Sequence, residues 1–468
     1  VLIPLAKESH TTPLAHDDSQ PLLDAFEAGS KSADELKVGT EYENFGALRG
    51  QLEPMRYRAT GSEASVEKVL RALQEKLGWR EYLDDGVLIG LLGDMASVQL
   101  EPSGQLEFSG APHRTIHAAV EEITAFERQK EALKEPLGVD WLWAGHHPLW
   151  RPTDFDLMPK QRYGIMRSYL PKRGSHARDM MHGTTTVQAN LDYTSETNMG
   201  MLLRTAMGVS SILGPIFSNS PIVGRAPSGY QSFRNRIWED VDSDRCGLLP
   251  WVFEGSLPTF EQYMRWAMQV PLFFIERDGI YLDCSGLPFD EYLKHGFQGH
   301  QATFKDWENH LSTLFPDVRL KTYLELRVAD CVPPEFIPAL PAISKGLMYH
   351  DTACEAAWDL VKGWSFSERV QHRQDAARDG LDARTPGGYK TQELANELLT
   401  IVTDSLKEQA SAGGYADESK YVEGLHQMVR EGETPATRTL NWLAAGPKSD
   451  AALLAHYQAD WTDTFGEP

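Results

Sequence analysis

Cysteine is scarce in this chain, basic residues are outnumbered, and the common nucleotide-loop motifs are missing. The 468 residues include four cysteines, Cys246, Cys284, Cys331 and Cys354, widely spread and with no C-x-x-C pair. That excludes a disulfide framework and a cysteine zinc site, and fits a reducing compartment. With 45 basic against 67 acidic residues the net charge is −22. Nucleic acid and anionic membrane both want a basic face, so neither is expected as a partner. A nucleotide ligand needs only local positive charge and stays open. No apolar run approaches the ~20 residues that span a bilayer. The opening V-L-I-P-L-A breaks at Lys7, too short for a signal-peptide core, and a cytoplasmic protein is expected. There is no G-x-x-x-x-G-K-[ST] loop, no Rossmann glycine fingerprint and no G-x-S-x-G elbow. Any triphosphate bound here would therefore be held by side chains and metal ions. The histidines include His146-His147 and H-G-F-Q-G-H at 295–300 but no H-E-x-x-H helix, and read as surface or hydrogen-bonded structural groups.

What is present suggests one large domain with appendages. Residues 1–34 form a polar lead-in with a short helix around 21–28. Residues 35–363 alternate strand-like and helical runs, an α+β pattern. Residues 364–468 carry helical periodicity at 367–380, 391–411, 417–431 and 434–445 and read as a helical region packed on the main domain. Apolar stripes predict helices over 62–77 and 115–134. Residues 87–92 and 97–102 look like strands, and 273–284 like a hairpin turning at Asp278-Gly279.

Four acidic elements carry the chemistry. In V-G-T-E-Y-E-N-F (38–45), Glu41 and Glu43 are two residues apart in a strand, so both carboxylates project from one face. Buried side by side they repel, and a divalent cation relieves that cost. In Q-L-E-P-S-G-Q-L-E-F (99–108) a turn at 102–105 brings Glu101 and Glu107 back toward each other. In T-T-T-V-Q-A-N-L-D-Y (184–193), Thr184, Thr186, Gln188, Asn190 and Asp192 share a face that lines either a cavity or solvent. In V-R-L-K-T-Y-L-E-L-R-V-A-D (318–330), read as one strand, Arg319, Lys321, Tyr323, Glu325 and Arg327 point one way. Such mixed charge suits a metal beside phosphate oxygens. A basic loop at 166–178, with Arg167, Lys172, Arg173 and Arg178, is a further phosphate candidate.

These strings, followed in order by N-S-P-I-V-G, G-Y-Q-S-F-R-N-R-I-W, F-P-D-V-R-L-K-T-Y-L-E-L-R-V-A-D and L-P-A, resemble the glutamate–cysteine ligase family of plants and many proteobacteria. The resemblance runs from about 36 to about 350 and continues more weakly through the helical tail. It implies a curved, largely antiparallel sheet funnel flanked by helices and related to glutamine synthetase. It also implies the reaction: ATP phosphorylates the glutamate γ-carboxylate, and the cysteine amine attacks the acyl phosphate. On this resemblance Glu41, Glu43, Glu101, Glu107 and Glu325, with the Gln188 carbonyl, hold Mg²⁺, with Mn²⁺ as a substitute. Arg327 meets the transferring phosphoryl group, Lys321 and Arg167 are further phosphate contacts, Arg234 takes the substrate α-carboxylate, and Trp238 walls the pocket. A monomer or weak homodimer is expected. Two alternatives stay open: a ligase with another amine acceptor, or a non-catalytic Mg–nucleotide-binding regulator. W-L-W-A-G-H-H-P at 141–148 departs from the family pattern, as does Cys246, and the plant redox switch is not carried over.

Overall fold

The alternation that begins at Val38 builds an eleven-residue strand, β1 (Val38–Leu48). The computed structural model describes residues 13–15, 18–59, 61, 63–459, 461 and 464; the opening V-L-I-P-L-A lies outside them. The other strands of the main sheet are β2 (Arg80–Asp84), β3 (Val87–Leu92), β4 (Ser97–Leu100), β5 (Leu106–Ser109), β6 (Val139–Leu142), β7 (Thr186–Leu191), β8 (Val318–Leu320) and β9 (Leu324–Asp330). Their order is β8-β9-β7-β1-β5-β4-β3-β2, β6 pairs with the end of β1, and every pairing is antiparallel. With flanking helices this is the α+β class expected from the sequence.

Period-2 alternation decides what each face does. Val38, Tyr42, Val187, Ala189, Leu191, Leu324 and Leu326 turn to a buried apolar face. Helices Ile116–Glu131, Glu196–Ile216 and Ala339–Met348 pack against the strands. The opposite face collects the polar residues of the same strands.

The amphipathic stripe expected from 62 becomes a helix at Val66–Leu77, beginning where Ser65 caps it by accepting the Lys68 N–H at 3.3 Å. The stripe at 115–134 forms Ile116–Glu131, capped by Thr115. In the tail, helices cover Phe366–Asp379, Thr391–Gly413, Glu423–Glu431, Pro435–Ala444 and Asp450–His456. The larger of two apolar clusters draws residues from Leu22 to Trp461, and a smaller one joins Phe45, Leu142 and Trp150 to Leu453 and Leu454 of the tail. Buried Glu418 ties the tail to the sheet helices, accepting the Ile116 N–H at 2.5 Å and the Lys345 ammonium at 2.6 Å.

Two expectations are corrected, and a third, the 273–284 hairpin, is borne out. Residues 318–330 are a hairpin, β8 and β9, that turns at Lys321-Thr322-Tyr323 and sets Arg319 directly opposite Glu325. The 273–284 hairpin forms, with Asp278 and Gly279 both at positive φ, but as a ladder of its own outside the main sheet. Finally, one helix, Glu196–Ile216, is 21 residues long and apolar enough to cross a bilayer by length and composition. It is 89% buried inside the protein and serves as a core helix.

Candidate active site

The sheet register gathers the four acidic elements on one face. Glu41 lies opposite Gln188 on β7 and Ser109 on β5, while Glu43 lies opposite Glu107. Glu325 lies opposite Asn190. Glu101 falls in the β4–β5 turn, which closes through the Glu101 N–H to the Gln105 carbonyl and the Gly104 N–H to the Glu101 carbonyl, both at 2.9 Å. Gly104 has φ +83, and a Cβ there would meet Val66 Cγ2 at 2.9 Å, so the turn requires glycine. The Ser103 hydroxyl lies 2.5 Å from His182 Nδ1, and the Gln105 amide donates to the Thr184 carbonyl at 3.1 Å. Both contacts pin the turn to the segment that enters β7.

Behind β1, on the core side, the buried Lys130 ammonium donates to Asn44 Oδ1 at 2.6 Å and pairs with Glu127, which also accepts from the Tyr42 hydroxyl. Such a pair adds little net stability, but it ties β1 to the helix Ile116–Glu131 at one height.

The acidic end of this face is electrostatically unfinished. Burial, then Glu101 and Glu107, push the Glu43 carboxyl well above its usual range. Burial, then Glu101 and Glu41, push Glu107 up to about 8. These are hard oxygen donors that repel one another, which suits a divalent cation. Among the described residues, no three His, Cys, Asp or Glu side chains gather closely enough to hold an ion unaided. An ion here would take a few carboxylate oxygens and complete its shell from water or phosphate.

The other end is cationic and partly satisfied. Glu325 is fully buried, and its carboxylate accepts from Arg319 at 2.6 and 2.7 Å, from Lys321 at 3.1 Å and from Arg327. Burial favours the neutral acid, but Arg319, Lys321 and Arg327 prevail and hold it well below the usual carboxylate range. Arg327 Nη1 also donates to Gln188 Oε1 at 2.6 Å. The two expected metal donors on this side, Glu325 and the Gln188 carbonyl, are thus engaged by cations, and a metal would have to displace one.

Arg234 is the exception to this satisfaction. It is 2% exposed, its guanidinium donates once, from Nη2 to the Arg327 carbonyl at 3.0 Å, and Nε and Nη1 have no partner among the described residues. Burial lowers it to about 10, against the pull of Asp330 and Glu43. Trp238 stands beside both Arg234 and Arg327, its ring centre 5.9 Å from each guanidinium carbon. A buried guanidinium with free donors beside an indole wall is a carboxylate-binding arrangement.

Residues 37–455 match the family model described as glutamate-cysteine ligase family 2. This chain belongs to the glutamate–cysteine ligase family. The chloroplastic glutamate–cysteine ligase of Medicago truncatula is 38% identical over 433 residues, covering 92% of this chain and 82% of that protein. That of Arabidopsis thaliana is also 38% identical, covering 92% and 80%. A solved glutamate–cysteine ligase of Francisella tularensis, in complex with AMP, shares the fold at 11% identity and TM-score 0.55, over 92% of this chain and 89% of that one.

Two cations of this family member escape a reading by sequence alone. Lys160 and Arg162 flank Gln161 where the helix Gln161–Tyr169 begins. Lys160 is 4% exposed, and its ammonium has no hydrogen bond or ion pair among the described residues; burial, then Arg162, pull it down to about 8 against Glu101 and Glu107. Arg162 keeps a buried Nε without a partner among the described residues, and its charge acts on Glu101. Arg167, the expected contact from this helix, sits further along it, with its charge acting on His182. Of the other basic-loop residues, Arg173 pairs with Asp242 and Asp244. The available signal for Lys160 and Arg162 was two cations two residues apart beside a proline, M-P-K-Q-R-Y. The cysteines are four free thiols, of which Cys284, Cys331 and Cys354 are buried. His146 and His147 are buried too, with burial lowering both imidazoles, as expected of structural histidines.

Proposed function

We propose that this protein joins the γ-carboxylate of L-glutamate to the amino group of L-cysteine, consuming ATP and releasing ADP and phosphate. The product, γ-glutamylcysteine, makes this the first step of glutathione biosynthesis. Beyond family membership, the carrying observation is one sheet face with an unfinished acidic end and a buried, half-satisfied arginine beside it.

In this reading a glutamate γ-carboxylate oxygen attacks the terminal phosphorus of ATP, and the bond to ADP breaks. The cysteine nitrogen then attacks the acyl carbon, phosphate leaves, and the amine proton passes to solvent. No protein nucleophile is needed, so the residues act by positioning and charge. Arg234 takes the α-carboxylate through its free Nε and Nη1 hydrogens, and Trp238 walls that pocket. Arg327 and Lys321 face the transferring phosphoryl group, and Lys160 and Arg162 supply positive charge to the polyphosphate near Glu101. Glu41, Glu43, Glu101 and Glu107 would hold Mg²⁺, which would supply positive charge against the phosphate that is transferred. Glu325 and Gln188 would be available to that ion only if released from Arg319, Lys321 and Arg327.

Phosphate release by the purified protein with glutamate, ATP and a panel of amines tests the reading. Cysteine is expected to be the fastest acceptor and EDTA to abolish turnover. A better acceptor than cysteine overturns the acceptor assignment. No release with any amine, alongside retained nucleotide binding, would favour a regulatory protein.

A further inference from the structure

Asp330, the last residue of β9, lies outside every role assigned so far yet is fully buried and accepts three hydrogen bonds. Its Oδ2 accepts from the Asn219 N–H at 2.7 Å and the Ser220 hydroxyl at 2.6 Å, and its Oδ1 from the Ser232 hydroxyl at 2.8 Å. Two of the three donors, Ser220 and Ser232, lead toward Arg234. The Ser220 oxygen in turn accepts the Arg234 N–H at 3.1 Å. Ser232 caps the helix Phe233–Trp238 that carries Arg234 and Trp238, its oxygen accepting the Asn235 N–H at 3.1 Å. Asn219 locks the far side, donating to the Trp143 and Cys331 carbonyls at 2.9 and 2.8 Å.

The unusual W-L-W-A-G-H-H-P segment closes this hub. A Cβ on Gly145 would fall 2.4 Å from Asp330 Cβ, so only glycine lets this segment lie against Asp330. The Gly145 N–H also donates to the Asn219 carbonyl at 2.9 Å. Asp330 makes no hydrogen bond to the Arg234 guanidinium itself. It supplies the nearby negative charge that makes a buried guanidinium tolerable while leaving the Nε and Nη1 hydrogens free.

We propose that Asp330 is a positioning residue, which through Ser220 and Ser232 aims the free edge of Arg234 at the substrate α-carboxylate. This rests on the assignment of Arg234 to that carboxylate. The test measures KM for glutamate and for ATP, with kcat, in D330N, S220A and R234Q. Misaiming a clamp weakens the substrate it holds, so D330N should raise the glutamate KM about tenfold or more, and S220A about threefold. The ATP KM should stay within about twofold in both, because the side-chain hydrogen bonds of Asp330, Ser220 and Ser232 lead to the helix that carries Arg234 and to none of the side chains assigned to phosphate. A folded D330N in which both KM values rise together, or neither does, overturns the positioning role; if D330N does not fold, S220A decides by the same criterion. An unchanged glutamate KM in R234Q overturns the carboxylate assignment instead. A raised KM in R234Q with normal values in D330N and S220A overturns positioning alone.

Discussion

Glu43 and Glu325 are the same residue type on the same face of one sheet, separated by the single strand β7, and their environments are opposite. Around Glu325 three cations outweigh burial and keep the carboxylate ionised. Around Glu43, burial and two further glutamates drive the acid toward its neutral form. The cationic side is a finished ion network that forms with the fold. The acidic side is stable only with a proton or with a cation from solution, which is the signature of a site rather than of a structural pair.

Substitutions at the two positions should therefore fail differently. The largest effect is expected from Glu43→Gln, which should lower turnover by about 10³-fold while leaving the melting temperature of the ligand-free protein unchanged or raised. Scanning fluorimetry beside a phosphate-release assay checks both halves, and a clear loss of apo stability would break the contrast. Next, Glu325→Gln should cost about 3–5 kcal/mol of folding stability by urea titration, because it strands Arg319, Lys321 and Arg327 around a neutral group. A smaller change sharpens the acidic end: Arg162→Met should raise the ATP KM about tenfold, the loss of one charge-assisted contact, with Arg167→Met changing it little.

The smallest expected effect is a pH slope. Glu107 in the folded protein holds its proton up to about 8, whereas its ordinary value is 4.5. Between those values the unfolded chain has already released the proton that the folded chain keeps, so stability of the ligand-free protein falls as pH rises from about 5 to about 8. Glu107→Gln, neutral throughout, should flatten that part of a melting-temperature profile by a few °C.

Much of this contrast was legible in the sequence, for a physical reason. T-E-Y-E and the L-E-P-S-G-Q-L-E turn announce carboxylates on one face through strand parity and turn chemistry, both local. The 318–330 segment was misread as one strand because K-T-Y carries no glycine or asparagine to mark a turn. Its face assignment survived, since residues opposite one another across an antiparallel pair share a face, as Arg319 and Glu325 do. The cation partners of Glu325 and the Gln188 oxygen depend on that hairpin, so their engagement could not be foreseen. Lys160 and Arg162 were missed because the glutamates they face are distant in the chain, and periodicity says nothing about such neighbours. The core helix Glu196–Ile216 was likewise invisible as a long apolar element, since its apolar residues are interrupted by Thr, Ser, Gly and Arg204.

The strand order has a consequence for how the molecule is made. The carboxylates of the acidic end come from β1 and the β4–β5 turn near the N-terminal end of the chain, whereas β8 and β9 follow only after residue 317. Because β9 pairs with β7 in the finished sheet, a chain emerging from the ribosome carries its acidic half long before the guanidinium groups that complete the face. Until then the edge of β7 has no strand beside it, and contacts of such long sequence separation form slowly. Translation thus runs from acid to base across the sheet, and the nascent acidic half waits for its last strands with water and free cations standing in for Arg319 and Arg327.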